Sequence, residues 1–292
     1  MNEFEFKLKS ALEYEKEGKL LHAVQVLTPL LNEENSRRTA CIRLAGIYEK
    51  LNNVTAASEI LNSYLNDKPE DDNVRKFFGQ FLIKHSLYEE ALDILSSLPV
   101  ELHQEIYFLL GIANFYLNDY KIAKINFDTF IKKNSKSDLL PEAYLYLAKT
   151  YSELGQFDEA MKIARESEKL FSFNYEVHLT LAVIYFHKKM YYHAKDAVKK
   201  ALSMNEEDAL LLEWAGKIFF KLGEFEETEK YLRLCIEYPN PSSETLSLLG
   251  LACLNTNKLS DASIFFDESL KINPRNREAI EGKIRCSSDS TK

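Results

Sequence analysis

The sequence predicts an all-α solenoid: about eight helix–turn–helix units in a row, closed by a C-terminal capping helix. Three observations predict it. Small residues recur in pairs twelve apart, the pairs repeat about every 34 residues, and a breaker residue sits at a fixed place inside each pair. Such an array also answers a problem of size. A chain of 292 residues is long for one compact core, whereas each unit of a repeat array packs only on its neighbours.

The pairs are Ala11 and Ala23, Ala45 and Ala57, Gly79 and Ala91, Gly111 and Ala123, Ala148 and Ala160, Ala182 and Ala194, and Gly250 and Ala262, with Gly216 followed by Thr228 as the one departure. The first members are separated by 34, 34, 32, 37, 34, 34 and 34 residues, a period that chance does not sustain over eight units. The physical reason for the small pair is steric: two antiparallel helices joined by a tight turn approach closely only where side chains are small. An aromatic three residues past the first small one (Tyr14, Tyr48, Tyr151, Tyr185, Phe219) is placed to cover that contact.

Seven residues past each first small residue stands the breaker: Gly18, Asn52, Ser86, Asn118, Gly155, Lys189, Gly223 and Asn257. Gly and Asn tolerate the left-handed conformation that closes many helices. Lys189 does not fit that rule, so the turn through His187, Lys188, Lys189 and Met190 is expected to close differently. On either side of the breaker apolar or small residues follow a helical period, as in Leu145, Ala148, Tyr151 and Ser152 or in Ala160, Ile163, Ala164 and Ser167. Each unit therefore reads as helix A, tight turn, helix B.

The units run at about 4–37, 38–71, 72–103, 104–140, 141–174, 175–208, 209–242 and 243–276. Pro69, Pro141 and Pro274 fall between units, where proline suits a loop or a helix start. Pro29, inside helix B of the first unit, is expected to kink or shorten it. Extra residues around 133–138 imply a longer loop between the fourth and fifth units. An amphipathic stretch from Asn276 to Arg285 is placed to cap the array with Arg275, Arg277, Glu278, Glu281, Lys283 and Arg285 outward. The single array is expected to span residues 1–286, with 287–292 a frayed polar tail.

The stretch 208–227, with Trp214, Gly216, Phe219, Gly223 and Phe225, and the stretch 147–160, with Ala148, Tyr151, Gly155, Phe157 and Ala160, resemble the tetratricopeptide repeat family. The resemblance extends over roughly residues 4 to 274. It implies a right-handed superhelix whose A helices line a concave side. On the family pattern the inward positions of units three to eight include Phe77, Phe108, Leu109, Ile112, Phe115, Tyr116, Leu145, Tyr146, Val183, Phe186, Trp214, Phe220, Leu248 and Leu251. That is an apolar and aromatic track suited to a protein or peptide partner. Trp214 is the foremost anchor, followed by Phe115, Tyr116 and Tyr146. For any one of these residues, packing of helix A on helix A is the competing reading.

Charge along the same face is uneven. Lys9, Lys16, Arg43, Lys50, Lys76 and Lys84 in the first three units suggest an anionic subsite for an acidic peptide or a chain terminus, against solvated lysines as the plain alternative. Among the acids, Glu5, Glu105, Glu142, Glu176 and Glu244 fall in the first turn of a helix A, where the helix dipole accounts for them. The Lys and Asn clamp by which chaperone-binding members of the family hold a C-terminus is not matched: Leu8 and Leu12 stand at the corresponding places of the first unit.

The remaining chemistry is sparse. A net charge of -8 and a pI near 5.5 speak against a nucleic-acid binder. No run approaches the ~20 apolar residues of a membrane span, and the start Met1-Asn2-Glu3-Phe4-Glu5, acidic through Glu3 and Glu5, lacks the basic start and apolar run of a secretory leader; taken as complete, the chain is expected in the cytoplasm. Cys41, Cys235, Cys253 and Cys286 form no C-x-x-C pair and read as small fillers. No nucleotide-binding, nucleophile-elbow or H-E-x-x-H motif occurs. His22, His85, His103, His178, His187 and His193 are dispersed, with only His187 and His193 near each other across a turn. Glu89 and Glu90, Asp158 and Glu159, and Glu226 and Glu227 start B helices, where acids are electrostatically favoured. No enzyme, no metal and no cofactor are expected. The leading reading is a scaffold that binds a peptide or protein partner on its A helices. Self-assembly into a homo-oligomer through an edge or the cap, and a regulatory subunit of an enzyme complex, are the alternatives.

Overall fold

The computed structural model describes residues 3–99 and 104–289, which form seventeen α-helices and one short 3-10 segment, with no strand among them. Met1, Asn2, His103 at the boundary of the third and fourth units, and the last three tail residues lie outside the described residues. The chain divides into two compact units, Met1–Ser135 and Lys136–Lys292. The division falls in the loop where the sequence places its extra residues.

The first unit holds four hairpins: α1 (Glu3–Lys16) with α2 (Leu20–Leu27), α3 (Arg37–Lys50) with α4 (Val54–Asp67), α5 (Asp72–Lys84) with α6 (Tyr88–Leu95), and α7 (Ile106–Tyr116) with α8 (Tyr120–Lys133). The second holds α9 (Leu140–Glu153) with α10 (Phe157–Leu170), α11 (Tyr175–His187) with α12 (Tyr191–Leu202), α13 (Ala209–Lys221) with α14 (Phe225–Cys235), α15 (Ser243–Asn255) with α16 (Leu259–Ile272), and the lone α17 (Arg277–Asp289). Pro29 sits in a 3-10 segment, Thr28–Asn32, and α2 ends before it after eight residues, the shortening that the sequence predicts.

All eight breakers, Lys189 included, adopt the left-handed conformation, with φ between 58° at Asn52 and 76° at Gly223. Lys189 therefore corrects the expectation of a different turn: its φ is 60°. The reason is the hydrogen-bond pattern that every turn shares. Met190 N donates to Tyr185 O at 2.9 Å and Lys189 N to Phe186 O at 2.9 Å, as Gly18 and Lys19 do at the end of α1. These bonds satisfy carbonyls that the helix end would leave bare, and they outweigh the side chain's own preference.

The paired small residues are buried. The glycines among them make room for a bulky side chain sixteen residues on. A Cβ on Gly79 or Gly216 would lie 2.3 Å from Leu95 or Leu232, and one on Gly111 or Gly250 would lie 2.6 Å from Phe127 or Phe266. Thr228 keeps the close approach by donating its hydroxyl to Glu224 O at 2.9 Å. Across three of the four hairpins of the second unit a side chain seven past the second small residue ties helix B to the start of helix A, while α12 carries Ala201 at that place. Ser167 Oγ donates to Pro141 O, Cys235 Sγ to Ala209 O, and Ser269 Oγ to Ser243 O, at 3.2, 3.4 and 2.8 Å.

α17 packs on α15 and α16 through Ala279, Gly282 and Cys286. The helix therefore runs to Asp289, past the tail boundary set at residue 287, because Cys286 shares the buried face of Ala279 and belongs to the core. Asn276 fastens the start of this helix: its amide donates to Ser243 Oγ at 2.9 Å and its oxygen accepts from Ala279 N at 3.2 Å.

Candidate interaction surface

The A-helix residues four and five past the small position show what each unit offers. In α1 and α3 they are Glu15, Lys16, Glu49 and Lys50; in α7, α11 and α13 they are Phe115, Tyr116, Phe186, His187, Phe220 and Lys221. The same backbone place carries charge in α1 and α3 and a phenylalanine in α7, α11 and α13.

The charges knit successive repeats together. Lys50 reaches Glu15 at 2.7 Å with Arg43 at 3.7 Å, and one repeat later Lys84 and His85 both reach Glu49 at 2.8 Å. Lys76 reaches Glu105 at 2.7 Å. The hydrogen bond from Lys84, with a second from His85, holds the Glu49 carboxyl below its usual range against the opposing effect of burial. The cationic set expected to form an anionic subsite is thus spent on the protein's own carboxylates: Arg43, Lys50, Lys76 and Lys84 are paired, while Lys9 and Lys16 are exposed on α1. Of these cations, Arg43 and Lys50 line a cleft of about 600 Å³ whose walls also include Glu15, Arg38, Ile42, Glu49 and Phe77. Its charge is of mixed sign. Gly46 opens the wall, since a Cβ there would meet nothing within 4 Å.

The rings follow a rule of their own. A phenylalanine four past the small residue stands edge-on to the aromatic that begins its own helix B. Phe115 meets Tyr120 at 5.6 Å and 66°, Phe186 meets Tyr191 at 5.5 Å and 65°, and Phe220 meets Phe225 at 5.5 Å and 67°. The next residue stacks back on the preceding repeat: Tyr116 lies flat on Tyr88 at 4.7 Å and His187 on Phe157 at 4.9 Å. Edge-to-face and offset pairs of this kind are worth about 0.5–1.5 kcal/mol beyond their buried area. The aromatics at the start of helix B were not among the sequence candidates, although their signal is plain: Tyr88, Tyr120, Phe157, Tyr191 and Phe225 stand three before the second small residue of five successive units.

The predicted track divides into surface and core. Phe108 and Ile112, 7% and 6% exposed, are corrected to core, as are Leu109 and Leu145. Phe108 packs on Phe127 and Phe130 of its own hairpin at 6.1 and 5.5 Å, because Gly111 draws α8 in beside it. Phe77, Phe115, Tyr146, Val183, Phe186, Trp214, Phe220 and Leu251 are half-buried, and Tyr116 is exposed. The structure brings one set of them together: Trp214 stands edge-on to Phe186 at 5.4 Å and to His187 at 5.8 Å, and Lys217 Nζ lies 4.8 Å from its ring centre. Lys217 is itself held by Glu213 at 2.6 Å. Tyr146 has a parallel arrangement, with Lys149 Nζ 5.0 Å from its ring and paired to Glu176.

The other titratable groups have structural surroundings. Burial pushes the thiols of Cys41 and Cys253 up to about 12 and that of Cys235 up to about 11, so they stay as protonated fillers at neutral pH. Glu229, 4% exposed, is a buried carboxylate that the sequence reading passed over. Burial alone would raise its pKa, yet hydrogen bonds from Lys258 and Thr256, with the charges of Lys258 and Arg233, hold it lower. Among the described residues no helix is long and apolar enough to cross a membrane.

Sequence models of the Tetratricopeptide repeat family match residues 15–77, 142–171, 175–208 and 211–240, together more than half the chain. Two curated relatives are similar over part of it. BBSome complex member BBS4 of Bos taurus is 27% identical over 134 residues, 46% of this chain and 26% of that protein. The Pseudomonas aeruginosa type IV pilus assembly protein PilF is 25% identical over 153 residues, 51% of this chain and 60% of that protein. The chain thus spans less than two thirds of the length of either. Among solved structures, the fold is shared with the Cut9–Hcn1 hetero-tetramer of the APC/C, at a TM-score of 0.69, 16% identity, and coverage of 91% of this chain and 52% of that one. It is shared also with PilF, at 0.64, 15% identity, and coverage of 75% and 99%. The TPR protein YrrB, described as having an unusual peptide-binding site, matches at 0.51 and 16% identity, with coverage of 63% and 95%.

Proposed function

The chain belongs to the tetratricopeptide repeat family, and from that premise we propose that it is a non-catalytic scaffold that binds a protein segment on the A helices of its second unit. The observation that carries the reading is Trp214. A large, half-buried ring is held by Phe186 and His187 on one side and by Lys217 on another, so its orientation is fixed while part of its surface remains in water. A rigid amphipathic anchor of this kind loses little entropy when a partner covers it. Val183, Phe186 and Phe220 extend the apolar surface, and Glu213, Glu176 and the two lysines on Trp214 and Tyr146 supply a polar rim. BBS4, by its name a BBSome complex member, and the structural neighbour in the APC/C hetero-tetramer belong to multi-protein complexes, and PilF is by its name a pilus assembly protein, which agrees with a binding role.

The test is affinity capture from the native source with wild-type and Trp214→Ala protein side by side, both checked for folding by circular dichroism. The reading expects the variant to keep its helix content and to lose at least one partner. Equal capture by two folded proteins would sink it.

One observation favours self-association as a second reading: α17 exposes Ile280 and Ile284, at 40% and 62%. Light scattering over a concentration series decides it, since a strict monomer at all concentrations removes the idea.

A further inference from the structure

A second cleft lies inside the first unit, between α4 and α6 and floored by α5. Its volume is about 610 Å³, and Val54, Ser58, Phe78, Leu82, Leu87 and Ile94 form most of its wall. The repeat pattern explains why it exists. The residue one past the second small position of a unit meets the residue three past the first small position of the next: Lys195 lies 5.8 Å from the Phe219 ring, and Glu229 lies beside Cys253. In the other steps that carry a ring the facing side chain is long or branched, as with Val24 and Tyr48, Met161 and Tyr185, or Lys195 and Phe219. Between α4 and α5 the pair is Ser58 and Leu82. Serine supplies no length and leucine no ring, so space is left over.

Two further observations give that space a chemistry. The Ser58 hydroxyl oxygen is buried and has no hydrogen-bond partner among the described residues, which leaves one donor and two lone pairs unspent at the wall; rotation about χ1 suffices to redirect it. The rim is acidic. Glu90 and Asp93 line it, Glu59 and Glu89 are exposed on the same two helices, and α4 and α6 carry no Lys or Arg. The nearby ion pairs use Glu34, Glu49 and Asp67 instead. Those four acids are left without a basic partner among the described residues. The feature is local, since α8 carries Lys121, Lys124, Lys132 and Lys133.

We propose that this cleft is a docking site for a basic peptide segment of a partner protein, which inserts one bulky apolar side chain over Phe78 and Leu82 and sets flanking Lys or Arg residues against Glu90 and Asp93. An anionic ligand is disfavoured by the rim, and a purely apolar one leaves the carboxylates of Glu90 and Asp93 unanswered. The site is on B helices of the first unit and does not rest on the reading of Trp214, which belongs to the second.

The test uses the full chain and a fluorescein-labelled octapeptide of lysines around a central phenylalanine, read by fluorescence anisotropy. Two control peptides replace the phenylalanine by alanine or the lysines by glutamates. The expected result is saturable binding of the first peptide, at least tenfold weaker binding of the alanine control and none of the glutamate control. Ser58→Met, which fills the gap as Met161 does three hairpins further along, is expected to weaken binding tenfold or more without lowering the melting temperature. The surface pair Glu90→Lys with Asp93→Lys is expected to abolish it, and carries the test should Ser58→Met fold poorly. Emission from Trp214 should not move. Equal binding of the phenylalanine and alanine peptides, unchanged affinity in the charge-reversed protein, a Trp214 response, or no saturation up to millimolar peptide would each overturn the proposal.

Discussion

In α1 and α3 the fourth residue past the small position is glutamate, whereas in α7, α11 and α13 it is phenylalanine. The glutamates reach forward to cations of the next repeat, Glu15 to Lys50 and Glu49 to Lys84 and His85. The phenylalanines instead lean on their own helix B, and beside two of them Tyr116 and His187 stack on the repeat before. Both solutions tie one hairpin to another, but they leave different surfaces. An ion pair satisfies itself and offers a ligand little that water does not already offer. A ring held edge-on keeps part of its face uncovered, so the second unit carries the stronger candidate for recognition in the cluster around Trp214.

The largest expected effect sharpens that contrast. Trp214→Ala should weaken partner capture by about 2 kcal/mol, roughly thirtyfold, as buried aromatic anchors do. The loss should persist at high salt, because no charge pair is removed; a loss that vanished in 1 M salt would return the binding role to the charges. Next comes Glu49→Gln, expected to cost about 0.5–1 kcal/mol of stability by urea titration, the scale of a partly exposed ion pair, with the cost shrinking as salt is added.

The same carboxyl makes a pH prediction. Its folded-state pKa is depressed by Lys84 and His85, so its contribution is full above the unfolded value near ~4.3 and is lost as pH falls through the folded one. Urea midpoints of wild type and Glu49→Gln should therefore converge below about pH 4. The smallest effect concerns the turns. Lys189→Gly removes a side chain from a left-handed residue at φ 60° and should stabilise the protein by about 0.5 kcal/mol, the gain in strain being offset in part by glycine's entropy. Gly155→Lys should show the opposite sign by the same measurement.

The turns are where sequence reading succeeded most fully. All eight breakers, named from spacing alone, take positive φ, with Asn240 in the loop before α15 as a ninth such residue, and even Lys189 holds its place because the flanking helices dictate the geometry. The inner track was less legible. Phe108 and Phe115 lie seven apart on one helix with the same composition around them, yet one is core and the other is half-open. What separates them is the helix drawn in by Gly111, a tertiary fact that a repeat pattern does not carry. The cations failed for a related reason: Lys50 and Lys84 find their acids 35 residues away, and side-chain pairing at that distance is visible only once the hairpins are stacked. Glu229 and Ser58 were passed over because a carboxylate or a serine on an amphipathic helix reads as solvated until its burial is known.

The central claim is that Trp214 stands in part open to solvent and is covered when a partner binds. As the chain's single tryptophan, it can be followed by acrylamide quenching of intrinsic fluorescence in the free protein and in the captured complex. The account predicts clear quenching in the free protein, between that of a buried and a fully exposed indole, and a marked fall in the complex. Quenching as weak as that of a core tryptophan in the free protein, or the same quenching with and without the partner, would contradict it.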